Sequence, residues 1–386
     1  STPIGNTIES FTKNLFEGVS AISQFDLFDA SKYRVQLGAT VKNIAKDLSN
    51  PEKKLPRPIQ FAVHATRSAL NQSGVMESVD NFRVGAYLAG PACAVFETEN
   101  FYKDYLTKGL NKTSLLDLSR STWDSAVNEI ANKFNIFGPR STMLTACSSS
   151  GLAIGLSFDL IRLGIVDAMI AGGTDGFSEL TYSGFHALQN ISPTPCTPFD
   201  KNRSGLSFGE GAGILVLEDR DLAIQRGANI LAELVGYGAI GEGYNLTAPH
   251  PDAIGYKKTM TKALEMGRGN HEDVIHVNAH GTATEINDVT EAKAIRSVFY
   301  KHPMRVNSIK SMIGHCMGAS GAIEAVSTVV SLLHQTIPGT VNFKEKDPEI
   351  DVLVTASTEE VEMKYALCNS SGFGGNNSSL LFERVL

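Results

Sequence analysis

Residues 145–164 read TACSSSGLAIGLSFDLIRLG, a lone cysteine set between a β-type run and a helix. Met143, Leu144 and Thr145 favour extended backbone, Ser148 to Ser150 offer side-chain oxygens and N–H groups, and the apolar run that follows starts a helix. Cys147 therefore belongs at a strand-to-helix turn. There the positive end of the helix dipole favours thiolate over thiol, and nearby backbone N–H groups can stabilise an oxyanion on a bound acyl group. This is a nucleophile's position. Free cysteine elsewhere behaves as a small buried hydrophobe, and Cys93, Cys196 and Cys316 are read that way.

The helix itself, GLAIGLSFDLIRLG (151–164), is apolar nearly all round, as is GAIEAVSTVVSLLH (321–334). A surface helix would show a polar face, so both are expected to lie buried between sheets. Short apolar strands read at 83–90, 166–173, 211–218 and 274–280 alternate with helical patterns, which predicts a layered α/β fold. FGEGAGILVLE (208–218) and FGGNNSSLLFE (373–383) echo each other, each following a small-residue-rich buried helix by roughly sixty positions. Two related halves follow, 1–224 and 225–386, joined by a charged helix-like connector near 217–230 and sharing one core.

A chain of 386 residues, 42% hydrophobic, can bury a large core. A formal net charge of -7 excludes a generic nucleic-acid binder, because no overall basic field attracts phosphate backbones. Five scattered cysteines without CxxC spacing indicate neither a disulfide framework nor a zinc site, and fit a reducing compartment. No apolar run reaches membrane-spanning length, and STPIGNTIESF lacks a signal pattern, so a cytoplasmic protein without membrane contact is expected.

Partners for Cys147 come from later in the chain. VNAHGTATEIND (277–288) ends a strand at His280, and NSIKSMIGHCMGASG (307–321) carries Lys310 and His315 in a loop entering the second buried helix. NSSGFGGNN (369–377) supplies a glycine-rich loop. Of nine histidines, only His280 and His315 lie at strand ends among glycine and small residues; His64 and His334 read as packing or surface residues on helices.

TACSSSG, NAHGTAT, KSMIGH with GASGAIEA, and NSSGFGGNN, in this order, resemble the motif set of the elongating β-ketoacyl-acyl carrier protein synthases, fatty-acid or type II polyketide ketosynthases of the thiolase-fold superfamily. FGEGAGILVLE, AGGTD and PFDKNRSG match as well, so the similarity covers nearly the whole chain. It implies a five-layered α-β-α-β-α sandwich of two pseudo-repeated halves, assembled as a homodimer or as a heterodimer with a sister ketosynthase-like subunit. It implies an acyltransferase in which Cys147 takes an acyl chain from the phosphopantetheine of acyl carrier protein, then condenses it with decarboxylated malonyl-carrier protein. No bound cofactor is implied.

By the same resemblance, His280 and His315 point N–H groups at the enolate, Lys310 keeps them unprotonated, and Glu324 pairs with Lys310. The backbone N–H groups of Cys147 and Phe373 form the oxyanion hole, Phe373 is an aromatic gate moving with YNLTAPHPD (244–252), and Thr282 and Thr284 hold the pantetheine arm. Lys53, Lys54, Arg57 and Arg203 are candidate docking cations for an acidic carrier protein. The sequence departs from the family in starting at Ser1 within STPIGNT, in Glu285 and Asp175, in the short loop 192–200, and in Cys93 at the acyl pocket; substrate and pathway stay open. The rival readings are a non-catalytic chain-length-determining partner, which usually lacks the nucleophile, a thiolase, which needs a second reactive cysteine in the C-terminal loop, and a cysteine hydrolase, which leaves Lys310 unexplained.

Overall fold

A computed structural model describes residues 1–90, 95–267, 271–302 and 304–385. The alternation of β-branched runs with helical segments resolves into two principal sheets. The first contains β1 (Val84–Ala89), β2 (Arg140–Met143), β3 (Ala168–Asp175) and β4 (Gly211–Glu218) in the order β2-β1-β3-β4, with only the β3/β4 pair antiparallel. Its outer face is covered by α1 (Arg57–Ser73), closed by Gly74 at φ 63, and α2 (Ser125–Lys133). Beneath it lies α3 (Ser149–Arg162), the helix anticipated after Cys147.

The second sheet contains β5 (Glu233–Gly241), β6 (Val274–Asn278), β7 (Arg305–Asn307), β8 (Leu353–Val354), β9 (Tyr365–Gly372) and β10 (Asn376–Glu383), ordered β8-β7-β6-β9-β10-β5. Strands β8, β7, β6 and β9 are parallel, whereas β10 runs antiparallel to both β9 and β5. Helices α4 (Ile254–Gly267) and α5 (Glu285–Val298) form its outer layer, while α6 (Ser320–His334) joins α3 between the sheets. The result is the thiolase-like five-layered α-β-α-β-α sandwich.

The central layer explains the apolar helices. Ile154 on α3 and Ala322, Ala325 and Leu332 on α6 are fully buried, with strand residues Ala171, Ala366 and Leu380 packed around them. Truncating Ile154 there would cost about 2–5 kcal/mol through lost transfer energy and the cavity left. The two helices meet through small residues: a Cβ on Gly321 would lie 3.0 Å from the Gly151 backbone nitrogen.

The echo between the halves extends to the turns before these helices. Each opens with a single 3₁₀ turn, 146–148 and 317–319, led by a non-glycine residue at positive φ, Ala146 at 52° and Met317 at 45°. Cys147 and Gly318 thus occupy matching places at two helix tips. A small sheet of Ile22–Gln24, Leu37–Ala39 and Phe208–Gly209 caps this end, and brings Phe25 and Phe28 against Phe177 and Tyr182 beside Cys147.

Candidate active site

Cys147 sits in the 3₁₀ turn before α3, 8% exposed, immediately after the strained Ala146. Positive φ at a residue with a Cβ persists only where the surroundings enforce it. Here Ser149 Oγ accepts from the Thr145 N–H at 2.8 Å and donates to the Ala146 carbonyl, pinning the turn. Gly372 at the end of β9 lies against it, since a Cβ there would approach the Cys147 nitrogen to 2.9 Å.

His280 and His315 reach the same cavity from the second half, their ring centroids 5.4 Å apart and nearly perpendicular. The cavity, about 280 Å³, is also lined by Thr282, Thr284 and Phe373. The two threonine hydroxyls lie 2.9 Å apart, and the Phe373 ring stacks on Phe185 with centroids 5.4 Å apart. Between β9 and β10 the chain turns through 373–375, where φ of 80° at Gly374 and 76° at Gly375 accounts for glycine at both positions.

Lys310 and Glu324 do not line the cavity; they form a fully buried ion pair behind His280. The Lys310 ammonium lies 3.4 Å from His280 Nδ1 and can only donate, so that nitrogen accepts and the ring proton sits on Nε2, facing away from the lysine. His315 Nδ1 is 2.9 Å from the Ser320 hydroxyl. Burial, and then the Lys310 charge, hold both imidazoles well below their usual range, so both are neutral donors near neutral pH. Burial pushes the Glu324 carboxyl up to about 7, against the pull of Lys310.

Burial also pushes the Cys147 thiol up to about 12; Lys310 opposes this, while Asp175 and Glu324 add to it. Against the pull of the helix end toward thiolate, desolvation of the anion favours the thiol as the resting group. Two of the four docking cations are corrected. Arg57 is spent on the buried Glu210 carboxylate and the Val41 carbonyl, and Arg203, 8% exposed, is paired with Asp347. Lys53 and Lys54 stay exposed, and exposed Lys42 and Lys46 lie on the same stretch. Cys196 and Cys316 are buried as read, whereas Cys93 lies outside the described residues.

Several supports escaped the sequence reading. Glu291 on α5 accepts from the His280 and Gly281 N–H groups at 2.9 Å each, and Asn369 donates to it at 3.2 Å. Asp288 accepts from the Phe199 and Ala283 N–H groups. Asp175 at the end of β3 accepts from the Gly318 N–H at 2.9 Å, fixing the turn after His315. Acidic residues three and six positions past Glu285 were the available signal, but an acid on a helix reads as solvated until its burial is known. Among the described residues there is no cluster suited to a metal ion and no helix long and apolar enough to cross a membrane.

A thiol at a helix tip, facing two neutral imidazoles inside a doubled α/β sandwich, defines a condensing enzyme of the thiolase-like class. The chain belongs to the β-ketoacyl synthase family: residues 1–223 match the family's N-terminal domain and residues 231–344 its C-terminal domain. It is 34% identical to 3-oxoacyl-[acyl-carrier-protein] synthase 2 of Staphylococcus aureus (strain COL), over 99% of this chain and 96% of that one. With the synthase of the same name from Synechocystis sp. it shares 36% identity over 99% of this chain and 95% of the relative. Among solved structures, the ishigamide ketosynthase/chain length factor superposes with a TM-score of 0.95 at 30% identity, covering 100% of this chain and 97% of that one. A type II PKS acyl-carrier protein in complex with its ketosynthase bound to the hexaketide gives 0.92 at 27%, with coverage of 100% and 97%. The protein is thus an acyltransferase-type condensing enzyme.

Proposed function

We propose that the protein lengthens an acyl chain carried on Cys147 by decarboxylative Claisen condensation with malonyl-acyl carrier protein, releasing β-ketoacyl-acyl carrier protein. The observation that carries this reading is the convergence of Cys147, His280 and His315 on one cavity from two halves of the chain. In the first step the thiol attacks the carrier thioester and loses its proton during attack, with the Cys147 and Phe373 N–H groups receiving the oxyanion. In the second, the neutral imidazoles donate to the malonyl thioester oxygen as carbon dioxide leaves and enolate charge develops. Imidazolium would meet the malonyl carboxylate as a salt bridge and hold it in place; neutrality, supported by burial and Lys310, favours the charge only once it moves to the enolate.

Thr282 and Thr284, at the cavity wall, suit the amide-bearing pantetheine arm of the carrier. Lys53 and Lys54, with Lys42 and Lys46, offer an acidic carrier protein a basic surface on this otherwise acidic chain. The halves 1–224 and 225–386 act as the nucleophile-bearing and the histidine-bearing units. Solved relatives include a ketosynthase with a chain length factor and one with its acyl-carrier protein, which supports carrier protein and a second ketosynthase-like subunit as partners here. Possession of Cys147 and both histidines favours the catalytic over the chain-length subunit.

Mass spectrometry after incubation with acyl-carrier protein, alone and then with malonyl-carrier protein, tests the reading. An adduct on Cys147 that becomes a β-ketoacyl product two carbons longer is expected. An adduct lost to water would instead make the protein a hydrolase, and no adduct would make it a binding subunit.

A further inference from the structure

The proposed condensation asks the same of both imidazoles, a ring proton on Nε2, yet the fold supports the two differently. At His280 an ammonium that can only donate sits at Nδ1. At His315 the partner of Nδ1 is the hydroxyl of Ser320 at 2.9 Å, a group able to donate or to accept. Which of these it does decides where the His315 proton lies.

The backbone is fixed on both sides of this contact. The His315 N–H donates to the Ser207 carbonyl at 2.7 Å, and its carbonyl accepts from the Gly209 N–H at 3.0 Å. Ser320, the first residue of α6, donates its own N–H to the Met317 carbonyl. Both side chains are buried, so bulk water offers the hydroxyl no alternative.

The pseudo-repeat shows what a serine at this place does otherwise. Ser149 and Ser320 hold matching positions, each opening a central helix directly after its 3₁₀ turn. Ser149 closes its own turn, accepting from the Thr145 N–H and donating to the Ala146 carbonyl. Buried hydroxyls further along the two helices also return to their own backbone, Ser157 to the Ala153 carbonyl at 2.7 Å and Ser331 to the Ser327 carbonyl at 2.9 Å. Ser320 leaves its turn instead, and among the described residues its hydroxyl bonds His315 alone.

Counting protons gives the direction of that bond. Were Nδ1 protonated, its N–H would donate to Ser320, and the single hydroxyl proton would be left buried without an acceptor. With Nδ1 bare, every proton is placed: the hydroxyl donates to Nδ1, and Nε2–H is left for the cavity that His315 lines. We propose that Ser320 is a positioning residue for condensation, which by donating to Nδ1 holds the His315 proton on Nε2, toward the oxygen of the forming enolate. A bare Nε2 would turn a lone pair on that oxygen and repel the developing charge. The assignment rests on the functional reading above, and the experiment separates the two.

Ser320→Ala removes the hydroxyl and little else. In unaltered protein carrying isotopically labelled histidine, magnetic resonance should show His315, identified by comparison with His315→Asn, with a bare, hydrogen-bonded Nδ1 and a protonated Nε2. In Ser320→Ala the Nδ1 signal should move to that of a nitrogen without a donor, and a fraction protonated on Nδ1 should appear. Acylation of Cys147 should stay within about twofold, while condensation slows about five- to fiftyfold, short of the about hundred- to thousandfold loss from deleting an oxyanion donor outright. A protonated Nδ1 in the unaltered protein, native condensation by Ser320→Ala, or acylation slowed equally with condensation overturns the proposal. Should the unaltered protein fail to condense, the functional reading falls, whereas an Nε2 proton that depends on Ser320 still upholds the placing of that proton. Should Ser320→Ala not fold, the spectrum of the unaltered protein decides alone.

Discussion

Replacing Lys310 with methionine keeps most of the side chain's volume and deletes one buried charge, leaving Glu324 without its ion-pair partner at 0% exposure. Removing one member of a buried pair costs about 3–5 kcal/mol when the other stays charged. Glu324 has an escape, because it can take up a proton. In the native protein burial lifts its carboxyl from 4.5 to about 7 while Lys310 pulls downward; without the ammonium only the upward push remains, and the folded pKa rises further. A carboxyl raised on folding binds protons that the unfolded chain has released, so stability falls as pH rises from the unfolded value and levels off above the folded one. For the native protein that fall ends near pH 7; for Lys310→Met it continues. The stability difference between the two should therefore widen above pH 7, by up to about 1.4 kcal/mol per pH unit until the variant's own carboxyl ionises. Urea unfolding at pH 7 and pH 9 measures this, with Lys310→Met/Glu324→Gln as control, in which the added loss should vanish. An equal loss at both pH values, or one that survives in the double variant, would refute the claim that an abandoned Glu324 charge is the cause.

Three other outcomes are expected. Alkylation of Cys147 by iodoacetamide should accelerate about tenfold per pH unit between 7 and 9, because a thiol at about 12 is far from saturation there; a plateau in that range would restore the resting thiolate. His280→Ala and His315→Ala should each form the Cys147 adduct but lose condensation by about 2.7–4 kcal/mol, the cost of deleting one oxyanion donor, and normal elongation in both variants rules out the assigned roles. Lys53→Glu/Lys54→Glu should raise KM for acyl-carrier protein and not for a small acyl thioester, whereas Arg203→Ala should lower stability by about 3–5 kcal/mol by abandoning the buried Asp347; a carrier-specific KM effect of Arg203→Ala alone would reverse that division.

The reading of residues 145–164 stood on two local signals, a nucleophile flanked by small residues and a helix with no polar face. Both are properties of a few consecutive side chains, so α3, α6 and the layered α/β order were legible before any coordinates, and the strands at 84–89, 168–175 and 211–218 fell where the apolar runs put them. Charge was harder. Arg57 and Arg203 look no different from Lys53 and Lys54 along the chain, yet the first two are consumed by carboxylates 153 and 144 residues away.

Composition and motif order by themselves determined the class of fold, the cysteine, the two histidines and the lysine with its glutamate, because hydrophobic period and residue chemistry are written locally. Tertiary structure alone decided the protonation of that chemistry and its scaffolding: that burial favours the Cys147 thiol, and that Glu291, Asp288 and Asp175 hold the loops. Desolvation and hydrogen-bond partnership depend on what the rest of the chain places around a group, and here those neighbours arrive from near and far alike, Glu291 holding the His280 loop from the following helix and Asp175 meeting Gly318 143 residues on.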